Sequence, residues 1–195
     1  MNKKELKVIK NINKESFEDS VIKLTNNIET FAQGSKIIAI TSALDYCYEV
    51  VLSYYLAKSY VEHNKKTIII ETHFSNEFRG VIDIVGEQIK DDNKEVIKLS
   101  SGVDVIFAKE TKFNAEELHS KEFKELIEKS KKTYDYIILL VAPLKINNDL
   151  FALNKVIDVS ILVAKKDETV LTDLCEVVKK IKDNNLPFLG VTLIK

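Results

Sequence analysis

The stretch that decides the fold reads Lys36-Ile-Ile-Ala-Ile-Thr-Ser-Ala-Leu-Asp-Tyr-Cys-Tyr-Glu-Val-Val51. Its first half is an apolar run typical of a buried strand, and its second half has the pattern of a helix. A strand that passes through a short loop into a helix is the setting of a P-loop, in which glycine N–H groups and a lysine hold phosphates. Here the loop has no Gly, no Lys and no Ser or Thr at the positions that this chemistry needs. The sequence therefore predicts a nucleotide-binding fold that lacks the usual means of binding nucleotide.

The composition of the 195-residue chain is ordinary for a soluble globular protein. The net charge is −1, from 29 basic and 30 acidic residues, so no overall field favours nucleic acid or an anionic membrane. No apolar run approaches the roughly 18 residues of a spanning helix, and the first residues lack the apolar core of a signal peptide. Cys47 and Cys175 give no disulfide framework. We expect one cytoplasmic domain over residues 1–195, with residues 1–34 as an N-terminal helix packed on it.

Apolar runs and amphipathic helical patterns alternate along the chain. We predict strands at 36–43, 67–71, 103–108, 136–142, 159–164 and 189–194, and helices at 17–31, 45–62, 115–133, 148–154 and 171–184. The stretch 77–95 is weakly patterned and predicts at most a partial helix. Continuously apolar strands between amphipathic helices indicate strands that are buried on both faces. We therefore predict an α/β fold with a mostly parallel central sheet and helices on both faces.

In such folds ligands bind at the carboxyl ends of the strands. Any site should therefore be built from the segments 44–49, 72–77, 141–147 and 165–168. Glu71 and His73 form the only acid–histidine pair in this cleft, and a loop role for His73 is favoured over a metal or acid–base role. For Cys47 a structural thiol is favoured over a reactive one, because the neighbouring Glu49 supplies unfavourable charge. Cys175 lies on an amphipathic helix, where we expect it in the core.

Several further segments resemble one protein family in their order and spacing. The most specific is Ala115-Glu-Glu-Leu-His-Ser-Lys-Glu-Phe-Lys-Glu-Leu-Ile127, followed by Tyr134-Asp-Tyr-Ile-Ile138. Shorter matches are Thr25–Ile28, Ile40–Ala43, Asp149–Leu153, Val156–Asp158 and Leu189–Val191. From about residue 15 to 195 the chain resembles the bacterial tyrosine kinases (BY-kinases) of capsule and exopolysaccharide export, which belong with the MinD and ParA ATPases to the deviant P-loop group. The resemblance implies a three-layer, P-loop NTPase-like fold, and ATP and Mg²⁺ as the family's cofactors.

The resemblance also places the family's Walker A motif on residues of different chemistry. Tyr46 and Tyr48 stand at glycine positions, Glu49 stands at the lysine, and Val50 at the magnesium-binding hydroxyl. A side chain at such a glycine costs about 1–2 kcal/mol where the backbone must be left-handed. Replacing the lysine by Glu49 turns attraction for a phosphate into repulsion.

The family's other motifs are altered as well. In the second motif Glu71 keeps a carboxylate, but His73 and Ser75 replace an acid and an arginine, and in Walker B Leu140 replaces the metal-linked aspartate. Without the hydroxyl and the aspartate, Mg²⁺ has few ligands besides water. The oligomerisation motif of the first helix is also lost, since its positions hold an acid, an aliphatic side chain and a hydroxyl: Asp19, Ile22 and Thr25.

A helix capping box offers a replacement for the lost phosphate contacts. In Ser42-Ala-Leu-Asp45, protein groups can satisfy the helix N-terminal donors that phosphate would otherwise use. We expect Tyr46 and Tyr48 to occlude the former pocket, and Tyr54 and Tyr60 to pack with their hydroxyls at the surface. We predict no catalytic residue, no metal ligand and no retained ATP or Mg²⁺. The degenerate pocket positions are Asp45, Tyr46, Cys47, Tyr48, Glu49, Val50, Glu71, His73 and Leu140.

Three functions fit these residues. The first is a pseudoenzyme that serves as scaffold or regulatory partner for an active kinase, for a membrane chain-length regulator or for itself; these partners are what the resemblance implies. The second is a remodelled enzyme that uses Glu71, His73 and Glu49. The third is a positioning module of the MinD/ParA kind. We expect no nucleic acid partner and no direct membrane insertion, although a partner could hold the chain at a membrane.

Overall fold

The structure is a computed structural model that describes residues 14–43, 48–73, 80–86, 95–107, 117–145 and 148–194. Six helices are α1 (Lys14–Phe31), α2 (Tyr48–Glu62), α3 (Val81–Val85), α4 (Lys121–Thr133), α5 (Asp149–Ala152) and α6 (Leu171–Asp183) within these ranges. The strands are β1 (Ile37–Ser42), β2 (Thr67–Glu71), β3 (Ile97–Lys98), β4 (Asp104–Ile106), β5 (Tyr136–Leu140), β6 (Val159–Lys165) and β7 (Phe188–Ile194). Strands and helices alternate as the sequence predicts. No helix in the described ranges is both long and apolar enough to span a bilayer.

The seven strands form one sheet in the order β3-β4-β2-β5-β1-β6-β7. Every neighbouring pair is parallel except the antiparallel pair β3–β4. β1 lies between β5 and β6 in the middle of the sheet, with Ile38 opposite both Ile138 and Val159. All residues of β1, β2 and β6 are buried, which is the reason that each strand contains an apolar run without polar alternation. The prediction of a mostly parallel sheet is confirmed.

Two apolar clusters, one on each face of the sheet, give the protein three layers. On the first face α1, α2 and α3 pack on alternate strand residues such as Ile38 and Ile40. On the second face α4, α5 and α6 pack on the intervening residues, such as Ile37 and Ala39. Because successive side chains of a strand point to opposite faces, one apolar run supplies both clusters. The predicted helices on both faces are confirmed.

Several local predictions differ from the structure. The helix expected from residue 115 is a 3₁₀ turn at Glu117–His119 before α4, because the Ser120 side chain accepts a hydrogen bond from Phe123 N at 3.0 Å and caps a new helix. Cys175 is exposed, so its assignment to the core was wrong. The Tyr60 hydroxyl, expected at the surface, is buried while the ring stacks on Tyr136 with a centroid distance of 3.8 Å.

Candidate functional site

The carboxyl ends of the central strands meet at one edge and are tied to each other by hydrogen bonds. Thr41 Oγ1 donates to the carbonyl of Ala142 at 2.7 Å. Thr72 donates from both its N–H and its hydroxyl to the carbonyl of Leu140, each at 3.0 Å. Leu144 N donates to the carbonyl of Ser42 at 3.1 Å. These polar groups thus satisfy one another, and the carboxyl ends of β1, β2 and β5 are held close together.

The beginning of α2 presents an acid and apolar groups to this edge. Tyr48, Glu49 and Val50 are all buried in the first turn of α2. Glu49 has a favourable position there, since a helix N-terminus stabilises a carboxylate. Leu140, the last residue of β5, is buried in the same apolar cluster as Tyr48 and Val50. In the part of the site that the structure describes, the positions that the resemblance assigns to the lysine and the two magnesium ligands hold a carboxylate and two hydrocarbon side chains.

Glu71 anchors a neighbouring helix. It ends β2, opposite Leu140 in the register, and is 4% exposed. Its Oε1 accepts a hydrogen bond from Val81 N, the first residue of α3, at 2.7 Å. Gly80, which precedes α3, has φ 66° and ψ −136°, and a Cβ there would overlap the Glu71 carboxylate. Only glycine combines this backbone geometry with such a close approach. The carboxylate that survives from the family motif is therefore in use for holding α3 against the sheet.

A lysine approaches the site from β6. Lys165, the last residue of β6, is 9% exposed, and its Nζ lies 5.3 Å from the centroid of the Tyr48 ring. This is the geometry of a cation–π contact. Thr169 Oγ1 accepts a hydrogen bond from Lys165 N at 2.8 Å and fixes the turn after the strand. The strand-end rule included segment 165–168 in the site, but nothing in the sequence indicated that Lys165 would meet Tyr48.

Five of the predicted pocket residues line one small cavity of about 50 Å³: Glu49, Val50, Glu71, His73 and Leu140. Tyr48 lies beside it in the same apolar cluster as Val50 and Leu140. The remaining predicted positions, Asp45, Tyr46 and Cys47, and with them the predicted capping box, lie outside the described residues. Among the residues that are described, no three His, Cys, Asp or Glu side chains come together as a metal site. The arrangement offers two acids and a histidine around a space of about one or two water molecules.

Known proteins resemble this chain in part of its sequence and in its fold. No protein-family model matches the chain. The tyrosine-protein kinase CpsD of Streptococcus pneumoniae serotype 4 is 36% identical over 78 residues, which are 40% of this chain and 34% of CpsD. Over this segment the chain is similar to a bacterial tyrosine kinase. The matched segment spans about a third of the length of that curated kinase, so the kinase's activity does not transfer with the match.

Solved structures agree with this relationship at the level of the fold. The kinase domain of VpsO superposes on this chain with a TM-score of 0.77 and 22% identity, covering 91% of this chain and 93% of that one. The MinD cell division protein of Aquifex aeolicus superposes with a TM-score of 0.59 and 15% identity, covering 82% of this chain and 68% of that one. The predicted fold resemblance, to the kinases first and to MinD second, is confirmed.

Proposed function

We propose that this chain is a BY-kinase-like protein that transfers no phosphate and acts as a scaffold or regulatory partner in a polysaccharide-export system. The observation that carries the proposal is the set of side chains where the family would bind Mg-ATP. Glu49 stands in place of the lysine, while Val50 and Leu140 pack in an apolar cluster in place of two magnesium ligands. A partner of such a protein is an active kinase or the cytoplasmic part of a chain-length regulator.

The change in electrostatic energy between a lysine and Glu49 at position 49 supports the proposal. Two unit charges about 4 Å apart interact by about 4 kcal/mol at the effective dielectric constant near a protein surface. Exchange of a lysine for Glu49 replaces that attraction by a repulsion of similar size, a change of roughly 8 kcal/mol. That electrostatic change disfavours binding of a phosphate at this position. The effect exceeds what one or two additional hydrogen bonds could restore.

The space at the site supports it as well. Sites for small molecules and cofactors occupy about 300–1,000 Å³. The cavity between Glu49, Glu71 and Leu140 has about 50 Å³. Glu71 at this cavity accepts the hydrogen bond from Val81 N, and Val50 and Leu140 belong to one apolar cluster, so movement of these residues would disturb contacts that stabilise this edge.

The test is calorimetric titration of the purified chain with Mg-ATP and Mg-ADP, with CpsD as the positive control. We expect no heat and no thermal shift at millimolar nucleotide, while CpsD gives both. A ligand at about 100 times its Kd stabilises the native state by about 2.7 kcal/mol, so even weak binding would be visible. Saturable binding with ATP turnover in this chain would contradict the proposal. Glu49→Lys is the matched variant: it restores the charge but leaves Val50 and Leu140, and we expect it not to bind Mg-ATP.

The second candidate is a remodelled enzyme, which is favoured by one observation: Glu49, Glu71 and His73 line the same cavity. Against it stands the hydrogen bond from Val81 N, which already uses Glu71. The two candidates differ in what His73→Ala does. Loss of a measured nucleotide turnover in His73→Ala, with unchanged stability, would favour the enzyme. A pull-down of an active kinase or a chain-length regulator that is the same for wild type and His73→Ala would favour the scaffold.

A further inference from the structure

One edge of the sheet is regular and uncharged over most of its outer strand, since Pro187 and a register shift between Ser160 and Ile161 affect only the start of that strand. β7 is an outermost strand, and its seven residues Phe188–Ile194 carry no charged side chain. Proteins usually protect such edges with short strands, lysines or prolines. The opposite edge follows this rule, because β3 has only two residues and one of them is the exposed Lys98. Among the described strands, the sheet therefore protects one edge and leaves β7 without a second pairing partner.

The backbone of β7 presents hydrogen-bonding groups outward at its apolar residues. Ile194 faces β6, since its carbonyl accepts a hydrogen bond from Lys166 N at 2.8 Å. Backbone groups of successive strand residues point alternately to the two sides, so Val191 and Leu193 point away from β6. Their side chains are 41% and 54% exposed. The N–H groups and carbonyls of Val191 and Leu193 are thus oriented so that another strand could pair with them, and their apolar side chains flank these groups.

Apolar surface continues on both faces of this edge. On the first face, a groove of about 640 Å³ runs between α1 and β7; polar residues such as Lys23 and Asn27 line part of it, and Phe31 at its wall is 76% exposed. On the second face, Val170 and Leu171 at the start of α6 are also exposed, at 56% and 71%. Solvent-exposed apolar groups around an open strand edge mark a surface for association.

We propose that β7 pairs with β7 of a second copy of this chain, antiparallel about a two-fold axis at Thr192. In that register Val191 of one copy lies opposite Leu193 of the other, and the two outward-facing residues exchange both backbone hydrogen bonds. The same pair forms twice across the axis, as a two-fold interface requires. Pairing of an uncharged strand with itself opposes no like charges, which suits a second copy as the occupant. The open side of each α1–β7 groove is then closed by the partner.

The interface is independent of the nucleotide question, since it lies on β7 and involves none of the residues around Glu49. The test is the oligomeric state of the full chain over a range of concentrations, by light scattering or sedimentation. We expect a dimer whose Kd rises about tenfold or more in Val191→Lys, because each interface then holds two added charges. Ile22→Lys is the matched control: Ile22 is 46% exposed on α1, and this variant should leave the Kd unchanged.

Hydrogen exchange at single amides supplies a second readout. The amides of Val191 and Leu193 should gain protection as the concentration rises, while that of Thr192, which faces β6, should stay constant. A monomer at every concentration overturns the proposal. If the amides of Val191 and Leu193 are protected in that monomer, another part of the chain, such as residues 1–13, would be the partner of β7. A dimer that dissociates in Ile22→Lys but not in Val191→Lys also overturns it and places the interface on α1.

Discussion

The contact between Gly80 and Glu71 allows a quantitative test of how α3 is held. In Gly80→Ala, the added Cβ meets the Glu71 carboxylate, so the hydrogen bond from Val81 N to Glu71 Oε1 must break or lengthen. A hydrogen bond to a charged group contributes about 1.5–3 kcal/mol. The backbone at φ 66° and ψ −136° costs a non-glycine residue a further 1–3 kcal/mol or so. We therefore expect Gly80→Ala to lower the free energy of unfolding by about 4 kcal/mol.

Gly86 supplies the matched control, because it lies at the other end of the same short helix. Its φ of 69° is close to that of Gly80, but a Cβ there would meet nothing within 4 Å. Gly86→Ala should cost only the left-handed backbone energy, about 1–2 kcal/mol. The difference between the two variants, about 2–3 kcal/mol, reflects mainly the displaced carboxylate.

Urea unfolding of the wild type and the variants measures these free energies, provided that the m-value is unchanged. A double-mutant cycle with Glu71→Ala separates the two contributions, since Gly80→Ala in that background should keep only its backbone cost. The reasoning is refuted if Gly80→Ala and Gly86→Ala cost the same. It is equally refuted if the cost of Gly80→Ala does not fall when Glu71 is removed.

Three further predictions concern other parts of the molecule. Burial, and then the hydrogen bond to Asp104, raises the pKa of Tyr134 from 10.0 to about 12. Between these pH values the folded state holds a proton that the unfolded state has lost, so the free energy of unfolding falls as the pH rises through this range. Tyr134→Phe should therefore make the free energy of unfolding less dependent on pH in this range. Asp158→Ala should cost about 2 kcal/mol in urea unfolding, because one carboxylate oxygen accepts two backbone N–H groups at the start of β1, whereas Asp158→Asn should cost less. Leu140→Asp should destabilise by about 3 kcal/mol or more in urea unfolding, since Leu140 packs in an apolar cluster and the new carboxylate would also lie beside Glu49 and Glu71. Leu140→Met should cost under about 1.5 kcal/mol, and equal costs for the two variants would contradict that account.

Most of the fold was predictable because burial on both faces leaves a simple trace in the sequence. The run Ile37–Ser42 is apolar without alternation, and that alone indicates a central parallel strand. The two-residue strand β3 escaped prediction because so short a segment has no periodicity. Helix α4 starts later than its pattern implies, since the side chain of Ser120 competes for the backbone N–H groups that would continue the helix.

The site was predictable in its location but not in its contacts. The strand-end rule and the family resemblance together singled out Glu49, Glu71 and Leu140, and these three side chains line one cavity. The bond from Val81 N to Glu71 and the contact of Lys165 with Tyr48 join segments that are far apart in the chain. Such contacts depend on how loops pack over the sheet, and a single sequence carries no periodic signal for them.

Two of the residues that carry the family resemblance lie at the opposite edge of the sheet from the site. Asp135, in the Tyr-Asp-Tyr segment, accepts a hydrogen bond from Lys66 N at 2.8 Å just before β2 begins. Asp158 accepts hydrogen bonds from Lys36 N and Ile37 N, both at 2.8 Å, where β1 begins. These carboxylates fix the amino ends of β2 and β1. Because their contacts involve none of the residues near Glu49, the chemistry at the carboxyl edge can change while the fold persists, which is the physical condition for a kinase-like scaffold without a kinase's site.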